Sequence, residues 1–192
     1  MCWDEELMWD SRPRLPALSE AEGSGPSAAR LLPAPSTTPD SLRMPTPMKR
    51  EFPEVPLVGV GAIIIEDSRV VLVKRLHPPL QAEWSIPGGV LEIGEMVREA
   101  AIREAREETG LTVEPGELLG VFDRILRDPE QRVQYHYVLI DFLCCRVAGD
   151  LAAASDAADV RWFTQEELPG LNLAKDTLEV ILKGFAELEN SR

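Results

Sequence analysis

Histidine and cysteine are scarce in this chain of 192 residues, with two and three copies. His77, His136, Cys2, Cys144 and Cys145 do not have the spacing of a Cys/His metal cluster. The odd cysteine count builds no disulfide framework, because Cys144 and Cys145 adjoin in a strand-like run and point to opposite faces. That usage suits a reducing cytoplasm, which is the expected location. No apolar run approaches the roughly 20 residues that span a bilayer. The start, Met1-Cys2-Trp3-Asp4-Glu5-Glu6, lacks the basic and then apolar order of a secretory signal. Positive charge is also short, with 20 Lys and Arg against 33 Asp and Glu, a net of -13. Such a surface repels phosphate backbones, so neither a membrane nor a nucleic acid is expected as a partner. A small phosphorylated ligand stays compatible if an Arg, a Lys or a metal ion holds it.

Proline is plentiful but uneven. Ten of the 16 prolines fall within residues 1–56, beside Ser, Ala and Gly runs and no sustained apolar period. Residues 1–54 are therefore expected to be a disordered, Pro-rich N-terminal extension, and residues 55–190 one folded domain. Met44 or Met48, just before the chain turns regular, marks the expected functional start. The acidity belongs to the domain, because beyond residue 56 there are 14 basic and 24 acidic side chains.

Val58 to Ile65 reads as a strand buried on both faces, and Arg69 to Arg75 as its hairpin partner. Trp84 to Gly89 is a loop or short strand ending in a Gly-Gly feature. A helix is predicted from Glu95 to Thr109, capped by Gly110. Strands follow at 117–127, 134–146 and 160–163. Thr164 and Glu167 have capping-box spacing. A last helix is predicted over 173–188, with Ala174, Leu178, Ile181, Leu182, Phe185 and Leu188 as its apolar stripe. This order gives a mixed sheet with helices packed on it.

The predicted helix 95–109 is the most informative segment. At 100° per residue, Val97, Ala100 and Ala101 share a face that continues into Glu104, Glu107 and Glu108. Two such charges about 6 Å apart repel by roughly 3 kcal/mol at an effective dielectric near 20. A cation that gathers them relieves this, and crowded hard oxygens suit Mg2+ or Mn2+. The alternative is a solvated acidic face with i,i+4 pairs Glu99–Arg103 and Arg103–Glu107. Glycines just ahead of the helix favour the first reading, since they let backbone groups approach a ligand or metal.

Gly89, five residues, Glu95, seven residues, then Arg103-Glu104-Ala105-Arg106-Glu107-Glu108-Thr109-Gly110-Leu111 resembles the Nudix box, G-x5-E-x7-R-E-U-x-E-E-x-G-U, where U is a bulky aliphatic. Eight of the nine fixed positions fit, and Ala105 stands where Leu, Ile or Val is usual. A chance match is roughly one in 10^8 or rarer per window. The resemblance implies an α/β/α sandwich around a mixed β-sheet. It also implies hydrolysis of a nucleoside diphosphate linked to another moiety. Position by position, it marks Glu104, Glu107 and Glu108 as ligands of Mg2+, with Mn2+ as substitute. The Gly88 or Gly89 carbonyl would be a further ligand. Arg103 would orient a carboxylate, and Glu95 would bind a second metal, touch substrate or cap the loop. Family members are often homodimers, although no exposed stripe here marks a partner surface.

Arg75 reads either as a phosphate-binding arginine or as a surface charge. The box does not fix the general base. Glu107 and Glu108 lie within it, and Asp128, Glu130, Asp156 and Asp159 lie in predicted loops. The run 135–142, with 154–162, looks like that of ADP-ribose pyrophosphatase-like members, so ADP-ribose is the expected substrate. A sanitising hydrolase of oxidised nucleoside triphosphates is the rival enzyme. A Nudix module that binds a nucleotide without cleaving it is the non-enzymatic alternative.

Overall fold

In a computed structural model of the chain, residues 49–153 and 157–190 are described. Strands β1 (Leu57–Glu66) and β2 (Arg69–Arg75) form a hairpin. Asp67 and Ser68 both have positive φ, 49° and 58°, as a two-residue hairpin turn with native twist requires. The Trp84–Gly89 segment resolves into two short strands, β3 (Trp84–Ser85) and β4 (Gly88–Val90). Helix α1 (Val97–Thr109) starts two residues later than predicted, because Glu99 takes the Met96 N–H at 3.2 Å and closes the first turn there. Gly110 ends it at φ 73°, a left-handed cap whose N–H bonds Arg106 O at 3.0 Å.

Strands β5 (Thr112–Arg127) and β6 (Val133–Ala148) pair antiparallel and run longer than the sequence indicates. Irregular register around Pro115 and Leu118 lets β5 pass a Pro-Gly step that reads as a break. Strand β7 (Ala157–Thr164) pairs with β2. Thr164 and Glu167 do form a cap, with Thr164 N–H on Glu167 Oε2 at 2.7 Å. It introduces a single 3-10 turn, Leu168–Gly170, rather than the helix α2 (Lys175–Asn190).

Strand β1 is central. It runs parallel to β6 from Leu57↔Tyr137 to Ile64↔Cys144, and antiparallel to β4 at Gly59–Gly61. Its side chains alternate between two cores. Ala62 and Ile64 meet Ala101 and Ala105 of α1, while Ile63 meets Val180, Ile181 and Phe185 of α2. The result is the expected sandwich, with one helix on each face of a mixed sheet. The α2 stripe is shifted from the predicted one. Thr177, Val180, Ile181, Gly184 and Phe185 are buried, and Leu182 is exposed. Among the described residues no helix is long and apolar enough to cross a membrane.

One charged residue interrupts the α2-side core. Asp141 of β6 is 3% exposed and lies in register between Gly61 of β1 and Gly120 of β5. Burial pushes its carboxyl up to about 7, with Arg124 opposing and Asp176 adding to the shift. The folded state therefore holds a proton that the unfolded chain has released. Stability from this group is complete below about pH 4 and is lost as pH rises toward 7. Thermal melts of Asp141→Asn against wild type should coincide near pH 4. They should diverge up to pH 7, the variant more stable by an amount on the order of 4 kcal/mol at most, and run parallel above it.

Candidate active site

The β1–β4 ladder sets the site. Ala62 N–H donates to Pro87 O and Leu91 N–H to Val58 O, each at 2.9 Å. Bonded and non-bonded pairs alternate along such a ladder, so the intervening pair Gly61↔Gly88 is a non-bonded one. Both main-chain groups of Gly88 are thereby free for other partners. Its N–H donates to Glu108 Oε2 at 2.8 Å, and its carbonyl accepts from Arg75 Nη1 at 2.9 Å. Arg75 Nη1 also reaches Glu108 Oε1 at 3.2 Å. A Cβ at Gly88 would strike Val60 O, and a Cβ at Gly89 would fall on the Glu104 carboxylate. The two glycines are thus the space into which α1 inserts its acids.

Arg103 organises the other side. Its Nε and Nη2 grip Glu95 Oε1 and Oε2 at 2.8 and 2.9 Å, a bidentate fork. Its Nη1 donates to Glu104 Oε1 at 2.7 Å and to Glu107 Oε2 at 3.3 Å. Its Nη2 also reaches the Val90 carbonyl at 3.3 Å. The Glu95 hydrogen bonds raise the guanidinium above its ordinary pKa and hold the Glu95 carboxyl below the usual range. Glu95 also accepts the Glu92 N–H, so both of its oxygens are engaged in fastening the loop to α1. Burial raises the Glu104 carboxyl above the usual range, even though Arg103 hydrogen-bonds to it.

The buried stripe of α1 is Ala100, Ala101, Ala105, Glu108 and Thr109. It is centred further toward Ala105 than the sequence reading placed it. Glu108 consequently lies in the core, Glu104 at its margin, and Glu107 is turned outward with its side chain 52% exposed. The Arg103–Glu107 pair forms, whereas Glu99 caps the helix instead of meeting Arg103. Ala105, the departure from the box, is fully buried and packs with Leu111 and Val113.

The acids expected in loops stand elsewhere, and Asp159 lies within strand β7, paired in register with Lys74 of β2, rather than in a loop. Asp128 accepts from Arg132 N–H and Nε at 2.8 and 2.7 Å, closing the β5–β6 turn. Burial alone would raise its carboxyl, but Arg132 holds it below the usual range. Glu130 is exposed beside the same arginine, and Asp159 pairs with Arg161, which lowers its carboxyl. None of the three hydrogen-bonds Glu104 or Glu108. Asp156 lies outside the described residues.

Among the described residues, no three His, Cys, Asp or Glu side chains converge as a ready cluster. The donor set at the turn still suits a hard divalent cation. It comprises two largely buried carboxylates and a main-chain carbonyl off the ladder, all oxygen. Arg75 and Arg103 already bring positive charge to these same oxygens. The cradle at Gly89 exists only because a Cβ is missing there.

The NUDIX domain family model matches residues 55–183. The chain belongs to the Nudix family. It is 38% identical over 135 residues to an ADP-ribose pyrophosphatase of Methanocaldococcus jannaschii, covering 70% of this chain and 76% of that one. Among solved structures, a MutT NUDIX hydrolase from Burkholderia pseudomallei superposes with a TM-score of 0.60 at 32% identity, over 68% of this chain and 98% of that one. A UDP-X diphosphatase does so with a TM-score of 0.57 at 28% identity, over 72% and 65%. This Nudix domain is thus a hydrolase fold whose box residues Glu95, Arg103, Glu104 and Glu108 meet at one turn. The Val90 carbonyl, which Arg103 reaches, escaped the sequence reading because that reading looked for main-chain groups only at the glycines.

Gly89→Ala tests the cradle. The added methyl should displace Glu104 and lower turnover by about 100-fold or more, with the circular dichroism spectrum unchanged. Wild-type turnover in a folded variant would show that the close approach is dispensable.

Proposed function

We propose that this Nudix hydrolase cleaves the pyrophosphate bond of a nucleoside diphosphate linked to another moiety, with ADP-ribose as substrate and Mg2+, or Mn2+ in its place, as cofactor. The observation that carries the reading is the pair of carboxylates, Glu104 and Glu108, seated at Gly88–Gly89 beneath two arginines. The relative named ADP-ribose pyrophosphatase, at 38% identity, supports the choice of substrate.

Glu104, Glu108 and the Gly88 carbonyl would hold the ion, with Glu107 and Gly89 beside them. The bound ion supplies charge neutralisation at the phosphates and a water of lowered pKa. Arg75 is placed to exchange its bonds to Gly88 and Glu108 for a substrate phosphate oxygen. Arg103 keeps Glu104 oriented through its fork to Glu95 and is a positioning residue. Glu107, half exposed and held among the described residues only through Arg103 at 3.3 Å, is the acid in the box best placed to take a proton from water. The domain's surplus of acidic side chains makes this concentration of cations the local exception that a polyanion needs.

Glu104→Gln and Glu108→Gln, assayed separately with saturating Mg2+, should each lower ADP-ribose hydrolysis by about 100-fold or more, with thermal melts within a few degrees of wild type. The expected product is AMP. Retained activity in both variants would refute the site assignment. Release of pyrophosphate from a nucleoside triphosphate, with no cleavage of ADP-ribose, would replace the substrate by that of a sanitising hydrolase.

A further inference from the structure

Strand β5 closes one side of the sheet, and among the described residues it pairs with β6 alone. Main-chain N–H and C=O groups not used toward β6 point outward along its free edge. In the first half of the strand side chains take up such groups. Arg98 Nη1 donates to Pro115 O at 2.6 Å and to Gly116 O at 2.9 Å, and Lys183 Nζ donates to Leu119 O. The register with β6 is also irregular there. Over residues 120–126 the register is unbroken, and no described side chain bonds the main chain.

The side chains of this open stretch alternate. Phe122, Arg124 and Leu126 are half-buried, whereas Val121, Asp123, Ile125 and Arg127 are exposed, Val121 by 57% and Ile125 by 44%. Residues 118–127 contain neither proline nor lysine, the usual guards of a sheet edge. A regular edge flanked by exposed apolar side chains is a template for a further strand.

The order of charges selects that strand. When two copies of one edge meet antiparallel, their two-fold axis stands normal to the sheet, so exposed residues oppose exposed residues. A centre at Val121 runs the second copy onto Leu119, whose carbonyl Lys183 holds. A centre at Asp123 sets two aspartates face to face, which is unfavourable. A centre at Ile125 sets the two isoleucines against each other and Asp123 opposite Arg127 on both sides. Asp123 lies 3.8 Å from His136, beyond hydrogen-bond reach, so its carboxylate is open to a cation. Arg127 spends Nη1 on Gln131 O and keeps its other donors. Just outside this ladder Val121 falls opposite Pro129, which has no N–H to leave unpaired.

We infer that the open edge of β5 is the contact between two copies of this chain, joined antiparallel through residues 123–127 about Ile125, with Asp123 of each copy paired to Arg127 of the other. The two sheets then become one. The inference is independent of the substrate, since neither charged residue hydrogen-bonds the site at Gly88. One strand pair makes a small interface, so the dimer is weak, with a dissociation constant on the order of 10–100 µM.

Sedimentation velocity of the full chain, from about 1 to 500 µM, tests it. Wild type should pass from monomer to dimer, and the amides of residues 120–126 should exchange more slowly with solvent as dimer forms. Asp123→Arg and Arg127→Asp should each weaken self-association by about tenfold or more, because each sets like charges opposite on both sides. Mixed one to one, the two variants should pair about as tightly as wild type does, because every charge then meets its opposite. A wild type still monomeric at the top of that range overturns the inference, and protected amides in such a monomer would assign the edge to another segment of the same chain. That arm needs no variant to fold. A dimer that neither charge reversal weakens also overturns it, as do two variants that melt like wild type yet stay apart when mixed.

Discussion

The insertion of two helix carboxylates into a strand turn without Cβ atoms is the constraint on which the rest of the site depends. Glu108 takes the Gly88 N–H, and Glu104 occupies the volume that a side chain at Gly89 would fill. Burying acids in this way is costly unless positive charge accompanies them. Arg75 and Arg103 supply that charge from opposite sides, one from the end of β2 and one from α1 itself. The Glu95–Arg103 fork then fixes the loop between β4 and α1, so one ion-pair network sets both the helix entry and the aim of Glu104.

The same arrangement explains how an acidic Nudix domain can act on a polyanion. Its field repels phosphate at long range, and screening limits that field to about 8 Å at physiological salt. Within that distance the site offers guanidinium groups and oxygens suited to a divalent cation. On the proposed function, binding would be confined to the turn, in accord with a small substrate rather than an extended nucleic acid.

Much of this was legible in the sequence, where local chemistry dictates local structure. The helix ending at Gly110, the hairpin at Asp67-Ser68 and the acids of α1 all follow from spacing and turn residues. The residues that meet at Gly88, including Arg75, were selected from the sequence as well. What failed depended on the third dimension. A helical wheel drawn from Val97 put three glutamates on one face, but packing against Leu111 and Val113 turned the face toward Ala105 and left Glu107 outside. The capping-box spacing at Thr164 and Glu167 leads into one 3-10 turn, Leu168–Gly170, which contains Pro169, and the last helix starts only at Lys175. Asp128 and Asp159 read as loop acids open to use as a base, whereas Arg132 closes the turn around Asp128 and Asp159 lies within β7 paired with Arg161. Asp141 stands in a strand whose pattern is apolar, and only the register with Gly61 and Gly120 shows the room made for it.

The central claim concerns divalent cation uptake at Glu104 and Glu108, and binding tests it more directly than any assay of turnover. Free Mn2+ can be followed by electron paramagnetic resonance as wild type and the Glu104→Gln/Glu108→Gln double variant are titrated without substrate. The account predicts saturable uptake by wild type below about millimolar concentration, and weakening by about tenfold or more in the double variant. Equal uptake by the two proteins would contradict it.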